Sequence, residues 1–425
     1  MEKLLIELLK NEVKPAMGCT EPIAVALAGA KAREVLGKSE FETMDIWVSP
    51  NFYKNGLAVG IPHTSFVGLD IAGIVGFIDG NASMGLEVLK DVEEKKIEHA
   101  DQLIDKVNLR VADTDKSVYI NIKVSSAGES VEVRIEDKHD QIVAVKKNGQ
   151  LLHKGYVKEE NEKVLDLSRF YRMSIMDIVE TVEKMNFESL KFMLEGYHMN
   201  KAIALEGLKE KYGLGIGYTM KALVEEGVLC DDLVNQASIL TAAASDARMH
   251  GMSMPVMSSN GSGNNGITAI LPIVAYVEKN NISEEKTAKA IAMSHLINNY
   301  IKKEIGRLSA MCSCSVSAGS SSSAAIVWLK GGSKEAIEGT IKNMIGNVAG
   351  MICDGAKKGC SIKLSTAANL SVLNAELAMK GVIVGHKNGI VNHSLEKTIK
   401  NLGLLSRKGM KITDAVILDI MKNND

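Results

Sequence analysis

Six cysteines stand at positions 19, 230, 312, 314, 353 and 360, and four of them fall in two short stretches rich in glycine and serine. RLSAMCSCSVSAG carries Cys312 and Cys314, and GNVAGMICDGAKKGC carries Cys353 and Cys360. A chain of 425 residues buries enough apolar surface to do without disulfides. Clustered cysteines in such a chain point to metal binding or catalysis. Glycine lets the backbone come close to a bulky cofactor. The spacing lacks the second close pair, and the histidines at finger spacing, of a structural zinc site. Thiolate-only ligation at irregular spacing suits an iron–sulfur cluster better. Three thiolates would leave one iron of a four-iron cluster open as a Lewis acid, whereas four would suit electron transfer. Spacing alone does not choose between Cys312 and Cys314, and the plainer alternative is a set of buried structural thiols. Cys230, in EEGVLCDDL, reads as a small buried hydrophobe.

A second chemical signal is MGCTEPIAVALAGA, where Cys19 precedes Thr20-Glu21-Pro22 at the start of a helical pattern. Peptide dipoles at a helix N-terminus lower a thiol's pKa. A thiolate there could take a proton alpha to a carboxylate; the competing reading is a structural cysteine near a cap. A third signal is SSNGSGNNGITAILPI, a loop of glycine and asparagine that opens onto a helix. Helix N-terminal N–H groups bind anions, so Asn260, Gly261, Ser262, Gly263 and Asn264 are candidates to hold an amino-acid carboxylate. The phosphate-loop motif is absent, because no GK[ST] follows, and a tight interhelical turn is the alternative. His63, His250 and His295 lie nearest these motifs and receive no role. The 21 methionines fit helical core packing.

These residues need elements to position them. Residues 1–36 read as helical, and 42–49 (ETMDIWVS) as a strand. The run from Asn51 to Phe66, rich in glycine and proline, reads as a loop, with helical patterns at 67–78 and 82–107. Residues 118–146 alternate with period two in three runs. Asn148-Gly149 then marks a hairpin turn before LLHKGYV. From Leu165 onward the patterns are amphipathic helices with no convincing strand. SAGSSSSAA (317–325) has a linker's composition but leads straight into AAIVWL, so it reads as the start of a buried helix. The expected fold is α+β: residues 1–160 an α/β domain with a small antiparallel sheet and the Cys19 loop, and 161–425 an all-helical domain carrying the cluster ligands.

Composition excludes several classes of function. Net charge is -2 and aromatic residues make up 4 %, which disfavours nucleic acid as a partner. No run of eighteen apolar residues is present, so no membrane span is expected. The N-terminus lacks the basic flank and small-residue cleavage site of a signal peptide, and a cytoplasmic location is expected. The expected partner is a small amino-acid substrate. Oligomeric state is left open, a homo-oligomer included.

Taken in order, GCTEPIAVA, SNGSGNNGI, RLSAMCSC and GMICDGAKKGC resemble the L-cysteine desulfidase family, which is related to the alpha chain of bacterial iron–sulfur L-serine dehydratases. The resemblance covers nearly the whole chain. It implies an oxygen-sensitive [4Fe–4S] enzyme that converts L-cysteine and water to hydrogen sulfide, ammonia and pyruvate without pyridoxal phosphate. It implies Cys353, Cys360 and one of Cys312 and Cys314 as cluster ligands, Cys312 being favoured, and Cys19 as the base. Ser313 stands where the commoner pattern has Cys-Gly-Cys, which leaves that choice of ligand open. Rival readings are an L-serine dehydratase with the same cluster, a non-catalytic iron–sulfur sensor, and a zinc protein using the same thiols.

Overall fold

The computed structural model of the chain describes residues 1–154, 165–306 and 308–423. The chain begins with α1 (Glu2–Glu12), β1 (Pro15–Met17), α2 (Thr20–Leu36), β2 (Thr43–Val48), α3 (Pro50–Gly56), α4 (Leu69–Asp79) and the single turn α5 (Glu94–Ile97). It continues with β3 (Val107–Val111), β4 (Tyr119–Ser126), β5 (Glu129–Glu136), β6 (Ile142–Lys147) and β7 (Gln150–Lys154). Period-two patterning makes the sheet: Ile120, Ile122 and Val124 of β4 and Val131, Val133 and Ile135 of β5 all turn to one buried face. The sheet order is β3-β2-β4-β5-β6-β7, antiparallel throughout except for the parallel edge pair β2–β3. Helices α2 and α4 cover the inner face and form one core with it, through Ile23, Val25, Leu27, Ile71, Ile74, Val75 and Phe77.

The second half is α6 (Ile175–Lys184), α7 (Phe187–Leu190), α8 (Met193–Gly207), α9 (Ile216–Glu225), α10 (Leu233–His250), β8 (Pro255–Met257), α11 (Gly263–Asn280) and α12 (Glu284–Ile305). A π-helical turn, Cys314–Ala318, then leads into α13 (Gly319–Leu329), followed by α14 (Lys334–Val348), α15 (Cys360–Met379), α16 (Leu395–Leu404) and α17 (Thr413–Lys422). Most of these helices share a second core, to which α1 contributes Leu5, Leu8 and Leu9. The fold is therefore α+β with a helical C-terminal portion, as expected. Ser320 to Ser323 are fully buried in α13, as the reading of a buried helix start requires. Ser320, Ser321 and Ser322 bond carbonyls three or four residues back in their own chain, and Ser323 bonds the Ser371 carbonyl of α15.

Four expectations are corrected. Residues 1–36 are not one helix, because Pro15 and the left-handed Gly18 (φ 63°) break it at β1. Part of the expected 51–66 loop is α3, with Pro50 at its first turn and Gly56 at its end, positions that helices favour for these residues. The expected helix over 82–107 is reduced to α5 and two 3-10 segments, Ala82–Glu87 and Ala100–Lys106, with Gly85 at φ 56° inside the first. A strand does follow Leu165: β8 pairs with β1. Gly155 to Val157, the end of LLHKGYV, lie outside the described residues. Among the described residues no helix is long and apolar enough to cross a membrane.

Candidate active site

The pairing of β1 with β8 builds the site. Pro15, Ala16 and Met17 register antiparallel with Met257, Val256 and Pro255. The ladder continues where the Ser258 N–H donates to the Lys14 carbonyl and the Asn260 N–H to that of Glu12, both at 2.9 Å. Gly18 and Cys19 thereby lie beside the 258–264 loop, and Thr20 Oγ1 donates to the Gly261 carbonyl at 3.3 Å. Ser262 caps α11 by accepting from the Asn265 N–H. Helix α11 starts hard against β8: a Cβ on Gly266 would stand 1.9 Å from the Met257 carbonyl oxygen.

Cys19 is the N-cap of α2, but its side chain makes no capping bond. Its Sγ donates instead to Glu21 Oε2 at 3.0 Å. Burial pushes the thiol's pKa well above its ordinary value, and the charge of Glu21 adds to the rise; Arg248 opposes it more weakly. This reverses the lowering expected at a helix N-terminus, because desolvation outweighs the dipole. Burial pushes Glu21 up as well, but the pull of His139 and hydrogen bonds from Cys19 and Asn55 outweigh it and hold the carboxyl below the ordinary range. The pair therefore rests as thiol and carboxylate. Asn55 Nδ2 donates to Glu21 Oε1 at 3.1 Å.

The remaining thiols arrive from two loops held edge to edge. Met311 and Ile352 form an antiparallel bridge. The Cys312 N–H donates to the Met351 carbonyl at 2.8 Å and the Cys353 N–H to the Ala310 carbonyl at 2.7 Å. Cys314 opens the π-helical turn and Cys360 opens α15. The Cys314 thiol donates to Cys312, which pulls the Cys312 pKa down to about 6 and pushes that of Cys314 up. Burial raises Cys353, and pushes Cys360 up to about 12. Asn265 Nδ2 reaches Cys314 Sγ at 3.3 Å and Ser313 Oγ at 3.0 Å, so the helix that follows the glycine loop also touches the thiols. Lys54 is buried, donating to the Cys353 carbonyl at 3.0 Å and to Asp414 of α17 at 2.5 Å.

All of this surrounds one cavity of about 140 Å³ that opens to solvent. Cys19, Asn260, Gly261, Ser262, Asn264, Cys312, Cys314, Cys353 and Cys360 line it; Gly263 instead packs beneath Arg248. His63, His250 and His295 are not among its lining residues. Cys230 is exposed in the turn before α10, between a flexed glycine and two aspartates, and is not a buried hydrophobe. Sequence reasoning passed over Glu21, Lys54, Asn55, His139, Arg248 and Lys302, which also line the cavity. Two of them left a trace: Glu21 directly precedes the apolar run PIAVALAGA, and Arg248 follows Asp246 near the end of ILTAAASDARM, charges set against runs of small residues.

Residues 83–419 match the family model described as serine dehydratase alpha chain. The chain belongs to this family. The UPF0597 protein of Alkaliphilus metalliredigens is 49 % identical over 430 residues, spanning 99 % of this chain and 95 % of that protein. The UPF0597 protein of Clostridioides difficile is 46 % identical over 428 residues, spanning 98 % and 99 %. The family model begins after Cys19, so the Cys19–Glu21 pair lies outside the matched segment, while all four clustered cysteines lie inside it.

A serine dehydratase alpha chain implies an iron–sulfur cluster, and the donors can be tested for fit. The four clustered cysteines are free thiols around one space. Among the described residues no three His, Cys, Asp or Glu side chains converge closely enough to grip a single metal ion. A cube of four irons takes its thiolates at separate corners, farther apart than the ligands of one ion. The sulfur-only set fits a cluster better than a lone zinc.

Proposed function

We propose that this serine dehydratase alpha chain relative is an iron–sulfur lyase that eliminates the β-substituent of a small amino acid. Its substrate in this reading is L-cysteine, and its products are hydrogen sulfide, ammonia and pyruvate. The observation that carries the reading is the convergence of Cys312, Cys314, Cys353 and Cys360 on the cavity that also holds Cys19. Cys312, Cys353 and Cys360 would hold a [4Fe–4S] cluster, Cys312 being preferred to Cys314 on the family resemblance. Bound there, the cluster supplies a Lewis-acidic iron for the leaving group. The reducing cytoplasm is the compartment that suits such a cluster.

The chain's own groups handle the proton. Cys19 is the base of this reading, and it rests protonated. Its thiol proton first passes to Glu21 along the 3.0 Å bond, and the thiolate then takes the α-proton. Loss of that proton and of the β-substituent, which would leave with the proton held by Glu21, gives an enamine, which tautomerises and is hydrolysed by water to pyruvate and ammonia. Asn260, Gly261, Ser262 and Asn264 form the loop surface against which the substrate would rest, with Gly263 behind it against Arg248.

The family match favours a second reading, L-serine dehydration with the same groups. Anaerobically purified protein with its full iron and acid-labile sulfide is assayed for sulfide from L-cysteine and for pyruvate from L-serine. Release of sulfide at the higher kcat/KM supports the first reading, and turnover of serine alone supports the second. A loaded protein inert toward both amino acids overturns the lyase assignment.

A further inference from the structure

Arg248, near the end of α10, is 3 % exposed and lines the same cavity. A guanidinium carries five N–H donors and a permanent charge. Here one terminal nitrogen donates to Asn264 Oδ1 at 2.9 Å and the other to the Gly18 carbonyl at 2.6 Å. Its Nε is buried without a hydrogen-bond partner. Both acceptors are neutral, and among the described residues no carboxylate lies within ion-pair distance of it. Of the two buried acids near it, Glu21 is occupied by Cys19, Thr20 and Asn55, and Asp246, two residues back in α10, accepts from the Gly217 N–H. A buried charge without a counter-charge is costly, so a cation kept in this state beside an open cavity is a place built to receive an anion.

Part of the glycine loop is already committed. The N–H groups of Asn260, Ser262, Asn265 and Gly266 are already donated, to Glu12, to Ser259 and twice to Ser262. The loop also shapes the arginine's seat. Asn264 fixes one end of the guanidinium, and a Cβ on Gly263 would stand 2.4 Å from Arg248 Nε, so a larger residue there would push the arginine out of place. Gly18, the second anchor, is the residue next to Cys19.

We infer that Arg248, seated by Asn264, Gly263 and the Gly18 carbonyl, is the carboxylate-binding group of this cavity. This rests on the lyase reading for the identity of the ligand, an α-amino acid, but the anion subsite itself rests on the buried, uncompensated guanidinium. An α-carboxylate held there places its Cα next to Cys19. The carboxylate's charge would be neutralised by the arginine, which also makes the adjacent α-proton easier to remove.

The test uses the cluster-loaded, anaerobic protein and two probes, propionate and propionamide, which have similar shape and differ in charge. Propionate is expected to bind by calorimetry and to raise the melting temperature, since it binds the folded state alone, while propionamide does neither. Arg248→Gln should weaken propionate at least tenfold and raise KM for the amino-acid substrate at least tenfold, with the visible absorbance of the cluster unchanged. Arg248→Lys, which keeps the charge and loses the fork, should recover part of the binding. Equal binding of acid and amide to the wild-type protein, or undiminished propionate binding by a folded Arg248→Gln, overturns the inference. If Arg248→Gln does not fold, the comparison of acid with amide on the wild-type protein decides alone. Arg248-dependent propionate binding in a loaded protein that turns over neither amino acid keeps the subsite and removes the lyase reading. Turnover with propionate indifferent does the reverse.

Discussion

The Sγ of Cys19 stands 3.0 Å from Oε2 of Glu21, two residues on, with both side chains buried. The thiol's pKa is raised and the carboxyl's lowered, so the two groups share one proton and it sits on sulfur. In the proposed reaction neither residue is sufficient alone. Cys19→Ala and Glu21→Gln should each retain the iron and absorbance of the cluster and lower kcat by about 10²–10⁴-fold, the usual worth of a general base. The sign of the pH dependence follows from Glu21. It must be ionised to accept the thiol proton, and its depressed pKa keeps it so below the ordinary carboxylate range, so this contribution persists into mild acid and is lost only as pH falls through the lowered value. Full activity of either variant removes the pair from the mechanism.

The loop between Cys353 and Cys360 depends on Gly355. Its φ is +97°, and a Cβ there would lie 2.1 Å from the Lys54 carbonyl oxygen. Backbone cannot yield as a side-chain tip does, so Gly355→Ala should displace both cysteines. Expected are a large loss of bound iron and acid-labile sulfide per chain and a far-ultraviolet circular dichroism spectrum close to wild type. Cys353→Ser and Cys360→Ser should do the same, and the comparison of Cys312→Ser with Cys314→Ser identifies the third ligand. A Gly355→Ala protein with full iron content contradicts the placement.

Lys54 and Asp414 tie the last helix to α3. Lys54 is 2 % exposed, and Asp414 is its ion-pair partner at 2.5 Å. Asp414→Ala leaves the buried ammonium with the Cys353 carbonyl and should cost about 1–3 kcal/mol, the usual penalty for an orphaned buried donor. Denaturant melts of the two proteins measure it. An unchanged midpoint means that α17 contributes nothing to holding α3.

His295 gives a separate pH signature. Burial lowers its pKa from 6.5 to about 3, with Nδ1 hydrogen-bonded to Ser259 Oγ at 2.9 Å. Folded His295 stays neutral where the unfolded residue takes up a proton. Its contribution is whole above about pH 6.5 and is lost as pH falls from there toward about 3, at up to about 1.4 kcal/mol per pH unit. His295→Asn keeps a polar group near Ser259 and cannot titrate, so its melting temperature should fall less steeply over that window than the wild type's. Parallel curves would show that His295 takes up its proton equally in the folded and unfolded states.

The sequence by itself determined most of the local elements and the chemical inventory. Alternation at 118–146 specified strands because one face of a pleated ribbon must be apolar, and amphipathic periods after Leu165 specified helices. Cysteines in two glycine-rich joints, together with the GCTEPIAVA and SNGSGNNGI motifs, were enough to point toward the serine dehydratase alpha chains. Tertiary structure alone decided how these parts meet. Three residues of β1 pair with three of β8, too short a pattern for either strand to be seen, and that pairing sets Gly18 against Arg248 across 230 positions of chain. The same burial decided the state of Cys19. Its place at a helix start is legible in the chain and argues for a thiolate, but the cost of desolvating a charge depends on what packs around it, and that is known only once the molecule has closed over the pair.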